Sequence, residues 1–130
     1  DVNSEVTIEP RPGPIEQIGG AQLVARDFIA DYVQVGSRVL VDIRDIRELE
    51  RDGRVPGAFH CPRGMLEFWI DPQSPYHKPV FGQDKKFVFF CAGGLRSALA
   101  TQTAQHMGLK PVAHIRGGFG AWKKAGGPLE

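Results

Sequence analysis

The sequence predicts one α/β domain with a mostly parallel sheet and helices on both faces. Three observations carry this. The 130 residues are enough for one hydrophobic core and too few for two. Short apolar runs rich in β-branched and aromatic residues alternate with segments of helical period, the pattern of parallel strands joined by crossover helices. Glycine and proline fall at the junctions between these segments, where the chain must turn.

In order along the chain, residues 1–16 hold Pro10, Pro12 and Pro14, lack an apolar period, and read as a flexible arm. Residues 17–130 read as the domain. Over residues 21–35, Leu23, Val24, Phe28, Ile29 and Val33 recur at helical spacing, and Gly36 offers a stop. Val39-Leu40-Val41-Asp42-Ile43 has the composition of a buried parallel strand. Asp45 with Glu48 forms a capping-box pattern, and Gly53 closes the short helix it starts. Pro56-Gly57 turns the chain into a brief strand at Ala58-Phe59-His60. Residues 63–70 suit one or two helical turns, and residues 71–81, with Pro72, Pro75 and Pro79, form a loop. Phe87-Val88-Phe89-Phe90 is the strongest strand signal and leads into a helix that places Ala100, Ala104 and Met107 on one face and ends at Gly108. Residues 111–115 supply the last strand and residues 119–125 the last helix.

Composition narrows the function. Charge is nearly balanced, at +1, with 42% hydrophobic and 24% charged residues. Neither a nucleic-acid nor a membrane-surface binder is expected, because both need concentrated positive charge. No apolar run approaches the roughly 20 residues of a membrane span. The chain begins at Asp1, which leaves a removed targeting segment open; otherwise the composition suggests a cytoplasmic protein. The two cysteines, Cys61 and Cys91, are too few for a disulfide scaffold and suggest one buried and one reactive thiol. His60, His77, His106 and His114 do not cluster, so neither a metal nor another cofactor is expected.

Cys91 is the candidate reactive group. It follows the strongest strand and precedes a helix, and ligands of parallel sheets bind beyond the carboxyl ends of the strands. The intervening Ala92-Gly93-Gly94-Leu95 can turn successive amides inward as an anion nest. The helix N-terminus and Arg96 add positive potential. Together these favour a thiolate over a thiol. The loop holds neither a histidine nor an acid, so activation would come from a depressed pKa and not from a general base. The bland alternative is a buried cysteine before an ordinary turn.

Cys91-Ala92-Gly93-Gly94-Leu95-Arg96-Ser97 resembles the rhodanese active-site motif, Cys-x-x-Gly-x-Arg-Ser. Val39-Leu40-Val41-Asp42-Ile43-Arg44, with Val55-Pro56-Gly57-Ala58, resembles that family's N-terminal signature. Gly117-Gly118-Phe119-Gly120-Ala121-Trp122, with Ala125-Gly126-Gly127-Pro128, resembles its C-terminal signature. The resemblance implies a rhodanese-like sheet of about five strands and a sulfurtransferase working through a Cys91 persulfide. It implies a small anionic donor such as thiosulfate, a cyanide or thiol acceptor, and an acceptor protein as a further partner. The loop amides from Ala92 to Ser97 would hold the sulfur, and Arg96 would attract the donor. Related phosphatases and arsenate reductases keep five residues between Cys and Arg; four lie between Cys91 and Arg96, a ring better suited to sulfur. A sulfur carrier without turnover and a regulatory binding module are the main alternatives, and a phosphatase or arsenate reductase is a further, less favoured one.

Four residues stand as supporting candidates. Asp42 is either a site-supporting carboxylate or, preferably, a structural acid paired with Arg44. Arg44 and Arg63 either extend the positive field over the mouth or are paired or solvated. Trp69, with Phe68, is a candidate pocket wall in the 63–81 insertion. Cys61 reads as an apolar filler more readily than as a resolving thiol, and Phe119 and Trp122 read as core anchors.

Overall fold

The computed structural model describes residues 13–18, 21–30 and 37–130. Its strands are β1 (Ala21–Val24), β2 (Arg38–Asp42), β3 (Phe59–His60), β4 (Lys86–Phe90) and β5 (Val112–Arg116). Its helices are α1 (Ala25–Ala30), α2 (Ile46–Asp52), α3 (Leu66–Ile70), α4 (Leu95–His106) and α5 (Gly118–Lys124). The strands form one sheet in the order β1-β5-β4-β2-β3, and every neighbouring pair is parallel. This is the expected rhodanese-like architecture.

Helical layers on both faces explain why the central strands have no polar side. In β4, residues Phe87, Val88, Phe89 and Phe90 are all buried. Alternate residues feed two cores. Phe87 and Phe89 join Val41, Leu66, Ile70, Ala100 and Ala104 on the side of α3 and α4. Val88 and Phe90 join Phe28, Leu40, Ile115, Phe119 and Trp122 on the side of α1 and α5.

Most expected elements are present, with corrections. The helical stretch over residues 21–35 opens instead with β1, which pairs with β5 from Ala21↔Ala113 to Val24↔Arg116. The pattern misleads because an edge strand and a helix run together without a break, so strand residues Leu23 and Val24 fall into phase with Phe28. Residues 31–36, with Val33 and Gly36, lie outside the described residues. Residues 1–12 of the predicted arm do too, whereas Ile15–Gln17 forms a 3-10 turn beside α4 and β1. Ala100 and Ala104 are buried on α4, but Met107, just past its end, is exposed. The loop after α3 contains a 3-10 turn, Pro79–Gly82, that seats Phe81 in the core.

One buried ion pair anchors the carboxyl edge of the sheet. Arg44 donates through Nε and Nη2 to the Asp42 carboxylate at 2.7–3.2 Å, and Nη2 also donates to the carbonyl of Gly53 at 2.9 Å. Its guanidinium lies 3.9 Å from the centre of the Phe119 ring. The two side chains are 0% and 2% exposed. A single side chain thus ties β2 to the end of α2 and to α5. Replacing Asp42 by alanine would leave a buried guanidinium without its counter-charge, and should cost about 3–5 kcal/mol in a denaturant titration.

His114 is buried in β5, and that burial lowers its pKa below the ordinary 6.5, although the nearby Ile18 backbone pulls the other way. The folded state therefore keeps the ring neutral. As pH falls through 6.5 the unfolded chain binds a proton that the folded chain refuses, so this contribution is whole above 6.5 and is lost below it. The urea midpoint should drop between pH 7.5 and 5.5, and His114→Leu should flatten that slope.

Candidate active site

The carboxyl ends of β2 and β4 stand level, with Asp42 opposite Phe90, and the amide of Ile43 donates to the Phe90 carbonyl. Cys91 therefore leaves the sheet at its edge while still packed in the core, 1% exposed. Its sulfur sits inside the turn that follows. The Gly94 amide donates to Sγ at 3.1 Å and the Ser97 amide at 3.4 Å, and the Ser97 hydroxyl lies 3.4 Å away. Burial pushes the thiol pKa up. The hydroxyl and amide of Ser97 and the amides of Gly94 and Gly93 outweigh it and bring the pKa below its ordinary value of 9.0. The turn is thus an anion cradle with sulfur at its centre.

The start of the turn is held from behind by α5. The amide of Phe119 donates to the Cys91 carbonyl at 2.7 Å, and that of Gly120 to the Ala92 carbonyl at 3.0 Å. This contact requires two glycines. Gly118 has φ +59, and a Cβ there would overlap the Cys91 carbonyl; Gly94 has φ +100, and a Cβ there would come within 3.1 Å of the Gly117 nitrogen. Gly93 meets no such obstacle.

Arg96 lies in the first turn of α4 beside the cradle, where its guanidinium interacts with both Glu48 and Cys91. Nη1 and Nη2 donate to the two oxygens of Glu48 at 2.9 and 2.8 Å. The Asp45 amide also donates to Glu48, at 2.9 Å, within the predicted capping box. Held chiefly by Arg96, the Glu48 carboxyl falls to a pKa of about 2. Reading the sequence located Glu48 as a helix cap and missed it as the partner of Arg96, since nothing local to either residue signals a pairing across 48 positions.

The supporting candidates separate from the cradle. Arg44 is buried and paired with Asp42, with only a weak pull left on Glu48, and Asp42 is the structural acid. Arg63 pairs with Glu67 at 2.7 Å and reaches Thr103 at 3.5 Å. Trp69 packs edge-on against Phe59, with Lys78 5.0 Å from its ring centre, and so belongs to the core side of the insertion. Phe68 is 52% exposed against Tyr76. Leu95 is exposed on the outer face of the loop. Cys61 is fully buried, and burial pushes its pKa up to about 12, which suits an apolar filler. Phe119 and Trp122 anchor the core, with the Trp122 indole donating to the Pro128 carbonyl at 2.9 Å. Among the described residues there is no cluster of three or more metal-ligating side chains, and no helix is long and apolar enough to cross a membrane.

Fold and loop together define an α/β protein that presents one cysteine at the carboxyl edge of a parallel sheet, wrapped by the amides of the following turn. The rhodanese-like domain model matches residues 25–125, and the chain belongs to that family. Thiosulfate sulfurtransferase 16, chloroplastic, of Arabidopsis thaliana is 34% identical over 107 residues, covering 77% of this chain and 85% of its own. The mouse thiosulfate sulfurtransferase/rhodanese-like domain-containing protein 3 is 27% identical over 89 residues, 65% of this chain; the match spans 57% of that protein, little more than half. A solved structure from Rhodopseudomonas palustris, a protein of unknown function described as a possible tyrosine phosphatase, is 58% identical with a TM-score of 0.84 and covers 96% of this chain and 100% of its own.

The lowered pKa makes a reactivity prediction. Alkylation by iodoacetamide should follow a titration curve lying below the ordinary thiol value and should map to Cys91, with Cys61 unmodified at neutral pH. Ser97→Ala removes one hydrogen bond to the thiolate and should move the curve to higher pH.

Proposed function

We propose that this chain is a sulfurtransferase in which Cys91 carries the sulfur. The observation that carries the reading is the cradle: two backbone amides and one hydroxyl converge on a single sulfur atom, in a turn with four residues between Cys91 and Arg96. The family and the sulfurtransferase names of relatives support the same chemistry.

In the first step the Cys91 thiolate attacks the outer sulfur of a sulfane donor. The donor's S–S bond breaks, its remainder leaves with the bonding pair (sulfite, from thiosulfate), and Cys91 is left as a persulfide anion. In the second step an acceptor attacks the outer sulfur and restores the thiolate, giving thiocyanate from cyanide or a hydropersulfide from a thiol. The cradle amides stabilise the thiolate, and the loop amides from Ala92 to Ser97 would hold the outer sulfur of the persulfide. Depressing the thiol pKa replaces a general base. An acceptor protein with an accessible thiol would serve as well as a small one.

Intact-protein mass spectrometry tests this. Excess thiosulfate or hydropersulfide should add one sulfur to the wild type and none to Cys91→Ala, and cyanide should remove it. An absent adduct in folded protein would overturn the reading. Release of phosphate from phosphotyrosine dependent on Cys91 would favour the phosphatase description borne by the R. palustris structure. Sulfur loading with no catalytic turnover to cyanide or thiols would make the domain a carrier.

A further inference from the structure

The exposed Phe68–Tyr76 pair carries no charge that would name a partner. A cleft of about 400 Å³ between α1 and α5 does. Its floor is apolar, formed by Val24, Ala25 and Ala121, and its rim holds Arg26, Arg116 and Lys124. The three cations keep their charge. Arg26 meets Asp27 only at 3.8 Å, with the two side chains 82% and 73% exposed. Arg116 donates to the neutral amide of Gln22 at 3.3 Å. Lys124 has no ion pair among the described residues.

The cleft opens at the same edge of the sheet as the cradle. Val24 ends β1 and Arg116 ends β5, and β5 is the neighbour of β4, whose end leads into Cys91. One to two strand spacings, roughly 5–10 Å, therefore separate the cleft from the cradle. Gly117 is common to both. It lines the cleft, and its backbone lies against Gly94 of the cradle.

We infer that this cleft seats the sulfur acceptor, and that the acceptor is a small thiol on an apolar stem ending in a carboxylate. The inference rests on the sulfurtransferase reading and deepens it by naming the acceptor class. The cleft has the size of a small-molecule site. The stem covers the apolar floor, the carboxylate meets the cations of the rim, and the thiol reaches past Gly117 to the persulfide. The acceptor thiol gives its proton to solvent and attacks the outer sulfur as a thiolate. A new S–S bond forms to the acceptor, the S–S bond to Cys91 breaks, and the bonding pair returns to Cys91 as the thiolate. The acceptor leaves as its hydropersulfide.

The experiment uses thiosulfate as donor and compares two matched acceptors, 6-mercaptohexanoate and 6-mercaptohexan-1-ol. Their thiols are equally basic, because the group that distinguishes them is remote from the sulfur. In the wild type, kcat/KM for the acid should exceed that for the alcohol about fivefold, chiefly through KM. In Arg116→Gln/Lys124→Gln the advantage should disappear. It should also be absent for 3-mercaptopropionate against 3-mercaptopropan-1-ol, which are too short to reach the rim from the cradle. Equal values for the long pair in the wild type would overturn the inference, as would an advantage kept by the double variant or by the short acid; the proposed function would stand. Should the double variant not fold, the wild type in salt decides: high ionic strength should erase the advantage of the acid, and an advantage insensitive to salt would overturn the inference. Failure of both thiosulfate and hydropersulfide to load Cys91 would overturn the proposed function, and this inference with it.

Discussion

The site depends on how the peptide groups after β4 are shared out. The carbonyls of Cys91 and Ala92 accept from the amides of Phe119 and Gly120 on α5, and the Ala92 carbonyl shares its peptide plane with the Gly93 amide, which faces the sulfur. A peptide plane cannot point both its polar groups the same way, so holding the carbonyls on one side commits the amides to the other. This is why Gly118, far along the chain, matters to the chemistry at Cys91: any side chain there would part the two backbones that must touch. The loop is therefore not a self-contained motif. Its shape is imposed from β5 and α5.

The second constraint is electrostatic. Near the carboxyl edge of the sheet, Arg44 and Arg96 are each matched by one acid. Arg44 and Asp42 are desolvated together, which makes them costly to separate and holds β2, α2 and α5 in fixed relation. Arg96 and Glu48 are partly exposed, so their attraction adds little to stability and much to the field at the mouth. The buried pair positions α2, and α2 positions Glu48. The acid that pairs with Arg96 is thus placed two steps away from the sulfur.

Local pattern was a good guide where one element dictates its own form. The capping box at Asp45 and Glu48, the apolar run of β4 and the helix of residues 95–106 are all present, because each is governed by neighbours within a few positions. It failed at β1, where strand status comes only from pairing with β5, and at Met107, where the face of α4 was extrapolated past its end. Pairings between distant residues left no local trace.

By itself the sequence determined the α/β class, the order of most elements and the cysteine turn, including the four-residue spacing from Cys91 to Arg96. These follow from short-range rules: hydrophobic period, caps, and the conformational freedom of glycine. Only the tertiary structure decided that Arg44 is buried against Asp42, that Trp69 belongs to the core, and that Arg96 is paired with Glu48. The physical reason is that a side chain's charge and burial depend on what the fold brings within a few ångströms of it, and contacts between residues 44 and 119 or 48 and 96 exist only once the sheet has closed.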